Sequence, residues 1–292
     1  MSIRIALFGH PLHQSLSPAM QEAAMSAAGI DGRYELHDIP PEDLPRALDR
    51  VREGEFAGCN VTMPYKEVVV RLLDGLDEDA AIIRAVNTVT REGAGLVGHN
   101  TDAYGVRRTV EILMEGRERS AATAVVIGAG GTGRSATYAL IRSGFGQVIV
   151  YNRHVERAER LVGDLSAVSA ATRLAARPLD DGSLGEELAR ADLLLNASSA
   201  GLNSDESPVP ATLLPAGIRV FDVVYSPRNT RLLSDAHAAG AAATANGEPM
   251  VVHQGARAFE LWFGAPAPLD EMVAALNRGM EARAGAAPAT GT

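Results

Sequence analysis

An ammonium and a carboxylate, Lys66 and Asp102, make an ion pair if the fold brings them together. Lys66 closes the run Asn60-Val-Thr-Met-Pro-Tyr-Lys66, where Pro64 ends any strand ladder, and Asp102 closes Asn100-Thr101-Asp102. Taken singly, Lys66 is a solvated charge and Asp102 an N-cap for a helix from Ala103 onward. Taken together, they supply a carboxylate and ammonium pair. Ser15 and Ser17 place two hydroxyls beside a helix start, which suits a carboxylate ligand. Ser17 followed by Pro18 also reads as an N-cap and N1 pair and no more.

A second kind of chemistry lies in Thr123 to Arg134, TAVVIGAGGTGR. An apolar strand enters a turn with Gly128, Gly130 and Gly133, and a helix follows from Ser135 to Ile141. The first glycine permits the tight turn, the second lets backbone approach a pyrophosphate, and the third lets helix pack on strand. The phosphates would sit at the helix N-terminus, where N–H groups and the dipole favour an anion. A second strand, Val148 to Tyr151, ends in Asn152-Arg153-His154 where an NAD site places an acidic residue. A guanidinium with no carboxylate to repel a 2′-phosphate predicts NADP over NAD; Arg157 and Arg160 either help or face water.

These residues need scaffolds. Ile3 to Phe8, Tyr34 to Ile39 and Gly58 to Thr62 read as strands, with a helix from Pro18 that ends at Gly29 and another over Pro41 to Glu53 between them. The alternation predicts a parallel α/β sheet whose carboxyl ends carry the ligand site. Asp77 to Ala85 reads as a short helix and Ala85 to Val89 as a strand carrying Asn87, and Gly95 to Asn100 leads to Thr101-Asp102. Further on come strands at Leu193 to Ala197 and Val220 to Val224 and helices at Thr230 to Ala239, Gln254 to Phe263 and Leu269 to Met280. The loop from Ser198 to Asn203 is built of small residues that permit close approach to a cofactor ribose. Trp262 and Phe263 are expected as core anchors.

A length of 292 residues predicts two domains, each with its own core. A net charge of −9 argues against nucleic acid and anionic membranes as partners. No stretch reaches the roughly 20 apolar residues of a spanning helix, and the apolar run at Met1 to Gly9 is too short for a signal peptide. The single cysteine, Cys59, fits a reducing, cytoplasmic setting, and the seven histidines show no metal-ligand spacing, which leaves His10 and His13 as turn residues. The Ala/Gly/Pro/Thr-rich end, 282–292, reads as a flexible tail.

Taken in order, the pieces resemble the shikimate dehydrogenases and their quinate-using relatives. They are Ser15-Leu-Ser-Pro18, Asn60 to Lys66, Ala85-Val-Asn-Thr88, Asn100-Thr-Asp102 with Gly105, and Gly128-Ala-Gly-Gly-Thr-Gly133. Asn152-Arg153, Asn196 with Ser198 and Gly201, Asp222-Val-Val-Tyr225-Ser-Pro227 and Gln254-Gly-Ala256 complete them.

The resemblance implies a two-domain α/β fold: an N-terminal substrate domain over 1–104, a Rossmann-like NADP-binding domain over 105–246, and C-terminal helices over 247–281 returning to the first domain. It implies Lys66 and Asp102 as the catalytic pair, and Ser15, Ser17, Thr62, Asn87, Tyr225 and Gln254 as substrate-binding. The cofactor residues implied are Gly128, Ala129, Gly130, Gly131, Thr132, Gly133, Asn152, Arg153, His154, Arg157, Ser198 and Gly247. The expected reaction is NADP-dependent reduction of 3-dehydroshikimate to shikimate in aromatic amino-acid biosynthesis, without a metal, by a monomer or homodimer. Ketone reduction needs an acid that delivers a proton to the carbonyl oxygen, and the reverse reaction needs the same group as base. His154 departs from the family's Asn-Arg-Thr, so NADP preference rests mainly on Arg153. Quinate or an aminated analogue is the alternative substrate, and a non-catalytic nucleotide-dependent sensor the alternative of another class.

Overall fold

A computed structural model describes residues 2–12 and 15–286. The chain opens β1 (Ile3–Gly9), α1 (Ser17–Ala27), β2 (Gly32–Asp38), α2 (Leu44–Arg52), β3 (Gly58–Val61), β4 (Gly75–Leu76) and α3 (Glu78–Ile83). Next come β5 (Thr88–Glu92), β6 (Gly95–His99), α4 (Thr101–Leu113), β7 (Thr123–Ile127), α5 (Gly131–Arg142), β8 (Gln147–Asn152) and α6 (Val155–Leu165). It closes with β9 (Arg173–Pro178), α7 (Asp181–Leu188), β10 (Leu193–Asn196), β11 (Arg219–Asp222), α8 (Arg231–Ala238), β12 (Ala243–Ala245), α9 (Glu248–Phe263) and α10 (Leu269–Ala286).

The chain forms two compact units, one of 1–77, 86–101 and 252–292, the other of 78–85 and 102–251. The helix α3, which a linear division leaves with its N-terminal neighbours, packs in the second unit: Arg134 donates to the Ile83 carbonyl at 2.5 Å and to Asp164 at 2.6 Å. Arg84, the one described non-glycine residue with positive φ (56°), donates to the other oxygen of Asp164 at 2.5 Å.

In the first unit the strands run β2-β1-β3-β5-β6-β4. The expected parallel pairing holds for β2-β1-β3, and the short β4 is parallel to β6, but β5 is antiparallel to both β3 and β6. The cause is local. Only Gly93 and Ala94 separate β5 from β6, room for a hairpin turn and not for the crossover that parallel neighbours need. His99 braces the hairpin, its Nδ1 2.9 Å from Asp77 and its Nε2 2.9 Å from Thr90 Oγ1. The unit is completed by α9 and α10: Gln21 on α1 donates to the Gly255 carbonyl at 2.9 Å, and Trp262 Nε1 to the Val89 carbonyl at 3.1 Å. Phe259 is the fully buried aromatic of this helix, whereas Trp262 and Phe263, expected as the core anchors, are half-buried around it. Burying such a ring contributes roughly 2–3 kcal/mol.

Two more expectations need correction here. Helix α9 begins at Glu248, six residues before the expected start, and α10 continues through the good helix formers Glu281, Ala282 and Arg283 to Ala286. The expected tail therefore starts no earlier than 287; residues 287–292, and His13, lie outside the described residues.

The second unit holds a sheet of order β12-β11-β10-β7-β8-β9, every pair parallel. Counted from β7, this is the 3-2-1-4-5-6 order of the doubly wound dinucleotide fold. Strands β7, β8, β10 and β11 are apolar runs because helices cover both faces: Ala124, Val126, Val148 and Val150 pack with α4, α5 and α6, and Val125, Ile127, Ile149 and Tyr151 with α7 and α8; the edge strands β9 and β12 are only partly buried. The topological switch falls between β7 and β10, where such folds bind their ligand.

Candidate active site

In the first unit the candidate residues gather at the ends of β1, β3, β5 and β6. Thr62 donates its N–H to the Phe8 carbonyl at 2.9 Å, and Tyr65 N–H returns to the Thr62 carbonyl at 2.8 Å. This turn delivers Lys66, half-buried, whose own carbonyl accepts the Val86 N–H at 2.8 Å. The peptide of Lys66 is thereby fixed one residue from Asn87. Asn87, 3% exposed, lies just before β5, not within it as expected. Its Oδ1 accepts the Thr101 N–H at 2.7 Å, and its Nδ2 donates to Thr101 Oγ1 at 2.8 Å and to Gln254 Oε1 at 3.2 Å.

A buried polar chain supports this cluster. Tyr34 donates to Asn60 Oδ1 at 2.7 Å; Asn60 donates to Thr88 Oγ1 and to the Asn87 carbonyl, each at 2.9 Å; Thr88 and Thr101 share their hydroxyls at 3.1 Å. Tyr34, Thr88 and Thr101 carry no role in the sequence reading, although Thr88 and Thr101 stand inside motifs quoted there. The signal that finds them is burial of a hydroxyl, which the sequence does not print.

At α1 the helix begins one residue earlier than expected. Leu16 is the N-cap, so Ser17 and Pro18 occupy the first turn, and Ser15 Oγ accepts the Ser17 N–H at 3.1 Å. Both serines are half-buried at a helix start that no side chain of its N-cap residue closes.

Asp102 and Tyr225 belong to the second unit. Asp102 is 3% exposed in the first turn of α4, which makes it a helix residue and not the cap.

The cofactor residues of the second unit fit a dinucleotide. Gly128 has φ of +108°, and a Cβ there would stand 3.1 Å from the backbone of Ala197 and Ser198; a Cβ on Gly133 would stand 2.1 Å from the Gly128 carbonyl oxygen. Side chains are thus excluded from both positions, and α5 starts at Gly131 behind the N-cap Gly130, with no side-chain cap across its N-terminus. The turn leaves an open, positive helix end of the kind that receives pyrophosphate. Asn152 Oδ1 accepts the Ala129 N–H at 3.3 Å, tying the end of β8 to the turn, and its Nδ2 donates to the His154 carbonyl at 2.9 Å. Arg153 and His154 are exposed beyond it, and the Arg157 guanidinium lies 3.8 Å from where a Cβ on Gly130 would stand. Ser198 stands across the switch, its N–H and hydroxyl donating to Asn196 Oδ1 at 3.0 and 2.6 Å. Gly247 donates to the Val224 carbonyl at 3.1 Å, so the entry to α9 closes on the segment leading to Tyr225.

Among the described residues no group of three or more His, Cys, Asp or Glu is placed to hold a metal ion, and no helix is long and apolar enough to cross a membrane. Burial raises the Cys59 thiol well above its ordinary range, which removes it as a nucleophile.

Three sequence signatures match the chain: the shikimate dehydrogenase substrate-binding domain over residues 7–89, the shikimate/quinate 5-dehydrogenase over 111–207, and the shikimate 5′-dehydrogenase C-terminal domain over 247–276. The chain is 39% identical, over 98% of its length and 96% of the relative's, to the NADP(+) shikimate dehydrogenase of Moorella thermoacetica. It is similar to the crystal structure of shikimate 5-dehydrogenase from Thermus thermophilus in complex with NADP(H) and shikimate, with a TM-score of 0.81, 39% identity and coverage of 95% and 99%. It is also similar to the quinate dehydrogenase of Corynebacterium glutamicum in complex with NAD, with a TM-score of 0.84, 31% identity and coverage of 95% and 99%.

Proposed function

The chain belongs to the shikimate dehydrogenase family, and from that membership and the geometry of its two sites we infer that it catalyses the NADP-dependent, reversible reduction of 3-dehydroshikimate to shikimate, in the route to aromatic amino acids. The observation that carries this reading is the buried Asn87 side chain, bonded to Thr101 and Gln254 and one residue from the Lys66 carbonyl's partner. It is a fixed amide beside a lysine at the ends of strands, suited to a small polyhydroxylated ring.

Bound NADPH supplies the hydride. The rest is the work of the chain. Gly128 to Gly133 and the start of α5 hold the pyrophosphate, and Arg153, with His154 and Arg157, receives the 2′-phosphate. Ser15 and Ser17 take the substrate carboxylate at the start of α1, while Thr62, Asn87, Gln254 and Tyr225 bind the ring and its hydroxyls. As the carbonyl carbon is reduced, its oxygen gains negative charge and Lys66 Nζ delivers a proton to it, leaving an alcohol and a neutral amine that is reprotonated from water. Asp102 is the carboxylate of the acid–base pair. In the direction of oxidation Lys66 takes the proton instead. The unit of 1–77, 86–101 and 252–292 serves as the substrate domain and that of 78–85 and 102–251 as the nucleotide domain. The enzyme works in the cytoplasm, as a monomer or homodimer, without nucleic acid.

The test is formation of reduced cofactor from shikimate and from quinate, each with NADP and with NAD, by wild type and Lys66→Ala. Shikimate with NADP gives the highest kcat/KM, and Lys66→Ala lowers kcat by about 10²-fold or more. Turnover of neither substrate removes the assignment; faster turnover of quinate moves it to the sister activity.

A further inference from the structure

Asp222, the last residue of β11, is fully buried, with three donors on its two carboxylate oxygens. Oδ1 accepts Asn196 Nδ2 at 2.9 Å and the Val224 N–H at 3.1 Å; Oδ2 accepts the Thr230 hydroxyl at 2.7 Å. Burial pushes this carboxyl above the ordinary carboxylate range, and the three donors pull it back. A group so costly to bury is retained for what it orients.

What it orients is an amide with two distinct ends. Because Asn196 Nδ2 donates to Asp222, and at 3.4 Å to the Ala200 carbonyl, Asn196 Oδ1 faces Ser198, and it accepts both the Ser198 N–H and the Ser198 hydroxyl. Ser198 Oγ in turn accepts the Ala200 N–H at 3.3 Å. The backbone of Ala197 and Ser198 stands 3.1 Å from a Cβ position on Gly128, so this loop forms one wall of the glycine turn. On its other side, Asp222 holds the Val224 N–H, and a Cβ on Gly247 would meet the Val223 carbonyl at 2.0 Å. One carboxylate therefore fixes the two loops that follow β10 and β11, both at the carboxyl edge of the sheet.

We propose that Asp222 is a positioning residue for the hydride-donating half of the dinucleotide, acting through Asn196 on the Ser198 loop and through Val224 on the segment of Tyr225. The proposal rests on the dehydrogenase reading above. It also explains why the position needs an acid. Only an acceptor-only group takes three donors at once. In Asp222→Asn the new NH₂ faces either Asn196 and Val224, breaking two bonds, or Thr230. That hydroxyl already accepts the Leu233 N–H at 3.4 Å as the cap of α8 and would have to reverse.

The experiment uses the full chain as wild type, Asp222→Asn, Ser198→Ala and the double variant, each measured for kcat with shikimate and NADP, for NADP⁺ affinity by equilibrium dialysis, and for Tm. Each single variant is expected to lose about tenfold in kcat. The Kd for NADP⁺ stays within about threefold, because the β7 turn and β8 are untouched. The double variant loses no more than about twofold beyond Asp222→Asn, since both changes cut one chain. A double variant that loses the product of the two single effects overturns the proposal, as does unchanged kcat in Asp222→Asn. If Asp222→Asn fails to fold, Thr230→Val takes its place in the cycle, with Thr230→Ser restoring kcat through its hydroxyl; equal loss in both overturns the proposal. A wild type that turns over no shikimate overturns the dehydrogenase reading itself, and this inference with it.

Discussion

Asn87 and Gln254 lie 167 residues apart in the chain and share a hydrogen bond of 3.2 Å, which ties the residue before β5 to the middle of α9. Thr101 Oγ1 adds a second donor to the same Gln254 oxygen at 3.4 Å. With its Oε1 engaged in this way, Gln254 has a set orientation before any substrate arrives.

Gln254→Ala is therefore expected to raise the KM for shikimate about tenfold while kcat stays within about threefold, the pattern of a group that binds ground state and transition state alike. Steady-state kinetics in the oxidative direction check it. A loss confined to kcat would assign Gln254 to the chemical step.

Arg153→Ala is expected to raise the KM for NADP by about tenfold, the worth of one charge-assisted hydrogen bond, and to leave the KM for NAD within twofold. Comparison of the two cofactors in one assay decides it. Equal changes with both would mean that Arg153 does not read the 2′-phosphate.

Gly133→Ala places a methyl group 2.1 Å from the Gly128 carbonyl, backbone that cannot swing aside. Separating α5 from β7 to admit it costs roughly 1–3 kcal/mol and spoils the pyrophosphate seat. The expected result is a lower Tm together with loss of NADP⁺ retention on an affinity resin; shikimate binding, measured by calorimetry, persists.

Asp164→Ala leaves Arg134, whose side chain is 4% exposed, without its counter-ion. An uncompensated buried charge costs about 3–5 kcal/mol, so urea denaturation should show a stability loss of that order. Replacing Arg134 by Met in the same chain should recover part of it, because the stranded charge is then gone.

The edge of the first sheet carries an ion cluster in which Glu55 receives Arg50 and Arg4, and the hydrogen bond from Arg50 does most to lower its carboxyl to about 2. A carboxylate with a depressed folded-state pKa stabilises fully above its ordinary value of 4.5 and progressively less as pH falls toward about 2. The Tm difference between wild type and Glu55→Gln should therefore shrink over that window. It should also shrink in 1 M salt, which screens an exposed pair.

The glycine turn was legible in the sequence because its constraints are local. Gly128, Gly130 and Gly133 stand within six residues, and steric exclusion alone sets their spacing. Strands β7, β8, β10 and β11 were legible for a related reason, since full burial on both faces leaves an unbroken apolar signature; the edge strands β9 and β12, only partly buried, left no such run and went unread. The β5–β6 hairpin was not, because Arg91-Glu-Gly-Ala-Gly carries a turn signal that suits a loop of any topology. Least legible was the Asn196, Asp222 and Thr230 network: its partners are separated by 26 and 8 residues, and nothing in an Asn or Asp reveals that it faces inward. Lys66 and Asp102 were found as residue types in quoted motifs, and their chemistry came with the resemblance.

The first unit is assembled from three separate lengths of chain, and its last helices contribute the Gly255 carbonyl, the Trp262 indole and Gln254. During synthesis the second unit is complete once residue 251 has left the ribosome, although the first was begun earlier. For the translation of a further 35 residues, up to Ala286, the sheet that carries Lys66 is without its closing helices. A chain cut short in this interval carries every residue of the nucleotide unit and lacks part of the substrate unit.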